Sequence, residues 1–445
     1  MKIGILKPKI KLIAYLRGKR MGPEEIVAFG AHATLKKEEP ETLYLKALKE
    51  GKADKLINRI LDVTLSGGHL SVLDQAVYTF SIKDIPRLAT LYLVQPLYLS
   101  HLQQSMRRVE PYGLYIPRSI KKYGDLLFKS IDLYYKMVSN GIPKEDARYV
   151  IPLYTVTNIL TCGNARELTH LSLMARSEYT PEIIRKIVGD MIIEASKKSP
   201  NLFKEWGENY NILRYYPAPN IFRRPGDEID RFIDYLMRLS GGSPTYLYSY
   251  SEAYKPSNEE IIKAIKDRDQ AILTLLRNNN YNIITRMSLS AFHQAIRQRT
   301  WNHIPESIYN ALNRLDYIIP YTIRRSKYID DYKDMVTRLY RLYHKSIKEG
   351  VKMTEAIGVV SHAHVIYDLI NIDGWNLISS LPIRRCIKAQ WEIRYIAGDI
   401  AKAVGRINRL LAIYTLPKCM TLGVCPEKYP CEYIDKFVNV GPLIK

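Results

Sequence analysis

Gly141-Ile-Pro-Lys-Glu-Asp-Ala147 and, 209 residues further on, Gly350-Val-Lys-Met-Thr-Glu-Ala356 share a frame. Asn164-Ala-Arg-Glu-Leu168 and Asp373-Gly-Trp-Asn-Leu377 lie at the same offset, and Glu182-Ile183 lies opposite Glu392-Ile393 at 210. An offset that persists over more than 40 residues is an internal repeat, and a repeat of this length means two similar folded units rather than a solenoid. Each half reads as short β segments followed by apolar-periodic helices: Lys9 to Leu16 and Val77 to Ile82 in the first, Tyr246 to Tyr250 and Tyr281 to Thr285 in the second. Tyr215 to Gly226, with Pro217, Pro219, Pro225 and Gly226, is the natural linker, which puts the boundary near Ile221 and the units at 1–221 and 222–445. The expected fold class is α+β, each unit a small, mainly antiparallel sheet flanked by long helices, the two packed as a pseudo-dimer.

Composition bounds the rest. With 445 residues and 47% hydrophobic content, each half has enough apolar side chain for its own core, so whole-chain disorder is excluded. No run approaches the roughly 18 uncharged apolar residues of a membrane helix, and the first 21 residues are dotted with Lys and Arg, so neither a span nor a secretory signal is expected. Five cysteines make no disulfide framework, and a cytoplasmic location is the default expectation. Cys419, Cys425 and Cys431, with Cys386 as a possible fourth ligand, have spacings longer than ordinary zinc pairs, and the expectation is no metal. The 66 Lys and Arg against 45 Asp and Glu leave a net charge of +21, a field that draws polyanions.

A second layer of motifs carries the chemistry. Gln294, then Arg297-Gln298-Arg299, then seven residues, then Ser307 make one frame; Gln95-Pro96-Leu97, seven residues, Ser105 and Arg107 make a second. Around them stand Gly68-His69-Leu70-Ser71, Glu145-Asp-Ala-Arg148, Asn164-Ala-Arg166-Glu167, and Arg384 followed by Ala389-Gln-Trp-Glu-Ile-Arg394. Together these resemble the flavin-dependent thymidylate synthases over nearly all of 60–205 and 285–405. That family moves a methylene from folate to dUMP with FAD, as a homotetramer with sites at subunit interfaces. The resemblance implies that Ser105, Arg107, Arg148, Gln294, Ser307 and Arg384 descend from nucleotide-binding residues, and His69, Asn164, Arg166, Arg297 and Arg299 from flavin-binding ones.

Neither half keeps a full set. The family's Arg-His-Arg is uncharged Gln95-Pro96-Leu97 in the first half and has Gln298 for its histidine in the second. The closing arginine is Ala175 in the first half, with Arg176 one position off. The second half has Tyr309 and Ile357 where the first has Arg107 and Arg148, and the glutamate two before the serine is Gln103 in one half and Pro305 in the other. These losses, with the charge, lead to the expectation of a catalytically degenerate tandem that needs no cofactor and binds structured RNA as a ribosomal or ribosome-associated component, its first contacts being Lys7, Lys9, Lys11, Arg324, Arg325 and Lys327. The alternative is an active FAD-dependent enzyme methylating dUMP at one composite site: Ser105, Arg107 and His69 facing Gln294, Arg297, Arg299 and Arg384. If the repeat is real, the offset is 202 at the Gln95/Arg297 frame and 209 beyond, with seven extra residues between Ser307 and Gly350.

Overall fold

The computed structural model describes residues 4–204, 217 and 220–434. Part of the expected linker, including Tyr215, Tyr216 and Pro219, lies outside the described residues. Each repeat contributes one four-stranded antiparallel sheet. In the first, β1 (Lys9–Tyr15), β2 (Val77–Pro86), β3 (Ser100–Gln103) and β4 (Val156–Asn164) lie in the order β1-β2-β4-β3. In the second, β5 (Thr245–Ser251), β6 (Asn280–Ser288), β7 (Asn302–Pro305) and β8 (Val365–Asp373) lie in the order β5-β6-β8-β7, the same topology. β3 and β7 start 202 residues apart, and β4 and β8 start 209 apart, so the seven extra residues do fall between the serine frame and the last strand. The α+β class and the duplication are thus present in the fold itself.

The glycines of the opening motif have a backbone reason. Gly141 (φ +85°) and Gly350 (φ +87°) each follow a long helix, Gly124–Ser139 and Ile329–Lys348. In both, the glycine N–H reaches back to the carbonyl three residues earlier, Val138 or Ile347, and the next N–H reaches the carbonyl five earlier, Met137 or Ser346. This paired closure of a helix end requires a left-handed residue that only glycine adopts without steric cost. The repeat is visible here because the turn chemistry is inflexible.

The compact units are divided differently from the repeats. One comprises residues 1–223 together with 330–361; the other comprises 224–329 and 362–445. The first unit therefore holds both copies of the long helix and of the turn that follows it. The second copy is tied there by backbone bonds from Leu153 N–H to the Val360 carbonyl (2.9 Å) and from Tyr154 N–H to the Gly358 carbonyl (2.8 Å). The Ser119 hydroxyl also bonds the Glu355 carboxylate, and Lys122 pairs with Glu349 (2.5 Å). A boundary read along the chain at 221 cannot show this exchange, since it arises from packing and not from local sequence.

Each sheet packs against a long helix that comes after its last strand. Ile183, Ile184, Ile187, Val188 and Met191 of helix Glu182–Ser196 are buried in the first unit; Ile393, Ile396, Ala397 and Ile400 of helix Trp391–Gly405 take that role in the second. Full burial of such a side chain stabilises by about 1.5–3 kcal/mol. The two helices start at Glu182 and Trp391, an offset of 209, so the pairing of Glu182 with Glu392 at 210 is corrected by one residue.

Candidate active site

In the first unit β3 ends at Gln103 and the chain turns tightly at Ser105, whose carbonyl accepts from Val109 N–H (2.9 Å) and Arg108 N–H (3.1 Å). The turn sends Arg107 toward the short helix Lys144–Ala147, where its Nε donates to Glu145 Oε2 at 2.6 Å. Arg148, at 3% exposure, donates from Nε to the Glu145 carbonyl (3.1 Å). The Ser105 hydroxyl accepts from Arg107 N–H at 3.3 Å and is exposed. Two guanidiniums thus meet at Glu145 with the Ser105 hydroxyl beside one of them, and no spacing in the sequence marks the engagement of Arg107 by the Glu145 carboxylate. Such a cluster suits a phosphate, because planar guanidinium donors match its oxygens and Arg148 is held where water competes little.

The other first-repeat candidates are occupied in structural work. Asn164 caps helix Ala165–Ala175, its side chain accepting from Glu167 N–H (2.8 Å). Arg166 pairs with Asp74 at 3.3 Å, and His69 stands exposed at the start of the short turn of helix Leu70–Gln75 that carries Asp74. Gln95 is buried and its amide donates to the Leu91 carbonyl (2.5 Å), closing the helix Arg87–Leu93 rather than facing a ligand. Arg176 is exposed, beyond the same helix whose last residue is buried Ala175.

The second unit shows the opposite pattern. Arg297 and Arg299 are exposed just past helix Leu289–Ala295, flanking Gln298. With its carboxamide turned so that the oxygen faces Arg384, Gln298 accepts from both Nε and Nη2 of that arginine. Burial, and then the nearby Arg297, hold the Arg384 guanidinium down to about 10. Two like charges, one of them half-buried, make a site that gains from an anion. Gln294 is half-buried on the preceding turn.

Ser307 in this unit is fully buried; its N–H donates to Asp230 (2.8 Å), and Tyr309 is buried beside it. Between Pro305 and Ser307, fully buried Glu306 accepts two bonds from Arg314 (2.7 Å each), one from Asn310 (2.8 Å) and one from Tyr367 N–H (3.2 Å). The carboxylate beside this serine is therefore a structural anchor. Ile357, in the position of Arg148, is buried in the first compact unit.

The sequence profile of the thymidylate synthase complementing protein family matches residues 11–201 and 226–407. The chain belongs to that family, twice over. It is 37% identical over 206 residues to the flavin-dependent thymidylate synthase of Saccharolobus solfataricus, covering 43% of this chain and 76% of that one. It is 35% identical over 246 residues to the enzyme of the same name from Sulfolobus acidocaldarius, covering 53% and 89%. The UMP/dUMP methylase PolB of Streptomyces cacaoi aligns at 16% identity and a TM-score of 0.39 over 45% of this chain and 95% of that one, a likeness too low to carry an argument.

These findings overturn the expectation of an RNA-binding, ribosome-associated protein: the matched family and the relatives named above are thymidylate synthases by name. The basic residues behind that expectation have local settings. Lys9 and Lys11 are exposed on β1, an edge strand, where lysine deters pairing with another chain, and Lys7 is exposed just before it. Arg325 lies over the Tyr321 ring and Lys327 over Tyr328, with Arg324 exposed beside them. Net charge speaks to solubility and steering, and it names no partner. Among the described residues no helix is long and apolar enough to cross a membrane.

Proposed function

We propose that the chain is an FAD-dependent thymidylate synthase acting on dUMP, with the binding tasks divided between its repeats. Ser105, Arg107 and Arg148 of the first repeat hold the nucleotide phosphate. Arg297, Arg299 and Arg384 of the second hold the flavin phosphates, with Gln298 orienting Arg384. The observation that carries the reading is the complementary loss: the repeat with uncharged Gln95-Pro96-Leu97 keeps the serine and arginine cluster at Glu145, and the repeat with the charged triplet has its serine sealed in the core.

FAD fits the second-repeat residues, since a diphosphate would offset the like charges of Arg384 and Arg297; it does not fit the uncharged first-repeat triplet, whose Gln95 is buried. When bound, the flavin supplies the reducing equivalents. The chain's own residues supply position. Arg107 and Arg148 fix the nucleotide by its phosphate, and Glu145 keeps both guanidiniums extended toward it before the ligand arrives. Flavin absorbance after reconstitution, with tritium release from 5-labelled dUMP in the presence of methylenetetrahydrofolate and a reductant, tests the reading. Flavin retained with dUMP-dependent release supports it. A colourless protein, or bound flavin with no release, contradicts it.

A further inference from the structure

β1 and β5 are the equivalent outer strands of the two sheets, and among the described residues each pairs on one side only. An outer strand presents a row of N–H and carbonyl groups to which another chain can pair, and charged side chains are a common deterrent. β1 has that deterrent in Lys9 and Lys11, both exposed. β5, Thr245-Tyr-Leu-Tyr-Ser-Tyr-Ser251, carries no charge and no proline, and Ser249, Tyr250 and Ser251 stand exposed. Its threonine and tyrosines favour extended pairing.

The outer side of β5 opens on a groove within its own unit. The Arg286 N–H bonds the Pro244 carbonyl (2.8 Å), and Tyr246 lies opposite Ile284. In the alternating antiparallel ladder this turns the main-chain groups of Thr245 and Leu247 outward. The Ser243 hydroxyl takes the Thr245 carbonyl (2.8 Å), so the Thr245 N–H and both main-chain groups of Leu247 are the open positions. The groove measures about 440 Å³ and runs between β5 and the end of helix Trp391–Gly405, where Ala403 and exposed Ile407 give it an apolar wall. Its charged lining is Lys402, Arg406 and Asp399, a net positive set in which Lys402 already engages Asp399 (3.0 Å). The first repeat has a groove of about 470 Å³ at the equivalent place, beside Leu12 to Tyr15, so the space belongs to the fold and the missing lysines distinguish β5.

We propose that β5 is a docking edge for an extended, acidic segment of another protein, which joins the second sheet as a fifth strand. Main-chain pairing holds the segment, and Arg406 selects a carboxylate on it. A second copy of this chain is the poorer occupant. Pairing β5 with β5 about a twofold axis would bring two Lys402 and Arg406 rims together, and like charges so placed oppose association. Such docking needs neither flavin nor nucleotide.

The test uses the full chain and a dye-labelled peptide of alternating threonine and glutamate, as long as β5, followed by fluorescence anisotropy at low salt. The peptide should bind, and a threonine–lysine peptide of the same length should bind about fivefold more weakly or worse. Methylating alternate backbone nitrogens of the acidic peptide should weaken binding roughly tenfold in one of the two phases and little in the other, because only one edge of an added strand pairs. Amide hydrogen exchange should slow on β5 when the peptide is added and stay unchanged on β1. Arg406→Glu should reverse the preference between the two peptides, a gain that misfolding cannot imitate. Failure of the acidic peptide to bind would overturn the proposal, as would equal weakening by both methylation patterns. So would β5 amides that become protected in the peptide-free chain as its concentration rises, since a second copy would then hold the edge.

Discussion

The two repeats have the same sheet order and opposite polar chemistry. At the serine frame the first repeat leaves Ser105 exposed beside Arg107, and the second buries Ser307 behind Asp230 and the Glu306–Arg314 pair. At the triplet the roles reverse: Gln95 closes a helix inside the core, whereas Arg297 and Arg299 reach solvent and Arg297 lies near a half-buried Arg384. Once a duplicated chain needs each polar cluster only once, the spare copy is free to become packing. An unliganded buried charge is costly, so drift runs toward apolar or internally satisfied groups.

The largest expected effect lies in the copy that became packing. Removing Arg314 leaves the Glu306 carboxylate buried without its two charged bonds, and Arg314→Ala should destabilise the chain by about 3–5 kcal/mol in urea denaturation. At the equivalent position of the first repeat, Tyr112 bonds Asn158 (2.9 Å) and Asp84 (3.2 Å), and Tyr112→Phe should cost only about 1 kcal/mol. Equal costs would mean that the two copies are not specialised as described.

Next comes the nucleotide. A hydrogen bond to a charged group contributes about 1.5–3 kcal/mol, so Arg107→Ala should weaken dUMP binding by roughly 10- to 150-fold in calorimetric titration while flavin retention holds. Ser105→Ala should weaken it by about fivefold, the scale of a neutral hydrogen bond, and Ser307→Ala should leave it within about twofold. A larger effect from Ser307 than from Ser105 would reverse the assignment of the repeats.

The smallest effect is one of pH. Arg384 is held down to about 10, so its charge persists through neutrality and is lost as pH rises past about 10. Flavin affinity should be flat from pH 7 to 9 and fall a few-fold above about 10. The sign for stability is opposite: between about 10 and its ordinary value the folded chain binds fewer protons than the unfolded one at this residue, so its contribution to stability rises with pH. Arg384→Met should remove both trends, measured by fluorescence titration and thermal melts.

Much of this was legible in the sequence, for identifiable reasons. The repeat and its offsets could be read because Gly141 and Gly350 close helices in a way few residues allow, and because the frames around Ser105 and Ser307 are spaced motifs. The central strands β4 and β8 were not anticipated; Val156–Asn164 and Val365–Asp373 mix apolar residues with Asn, Thr or Asp, and their periodicity shows only once both neighbours are paired. Nor could the placement of 330–361 with the first unit be read, because docking a helix on one unit rather than the other leaves its local pattern unchanged. The contacts that specialise the sites, Arg107 with Glu145 and Gln298 with Arg384, join residues 38 and 86 positions apart and have no spacing signature. Charge misled most, since +21 is a sum and the function turns on a few arginines.

The division of labour is tested most directly by titrating FAD into the flavin-free chain. Binding should saturate at one FAD per chain, disappear in the Arg297→Ala/Arg299→Ala double variant, and survive Leu97→Ala unchanged. Two flavins per chain, or binding that withstands loss of both arginines, would show that the second-repeat triplet is not the flavin-phosphate site and would contradict the account.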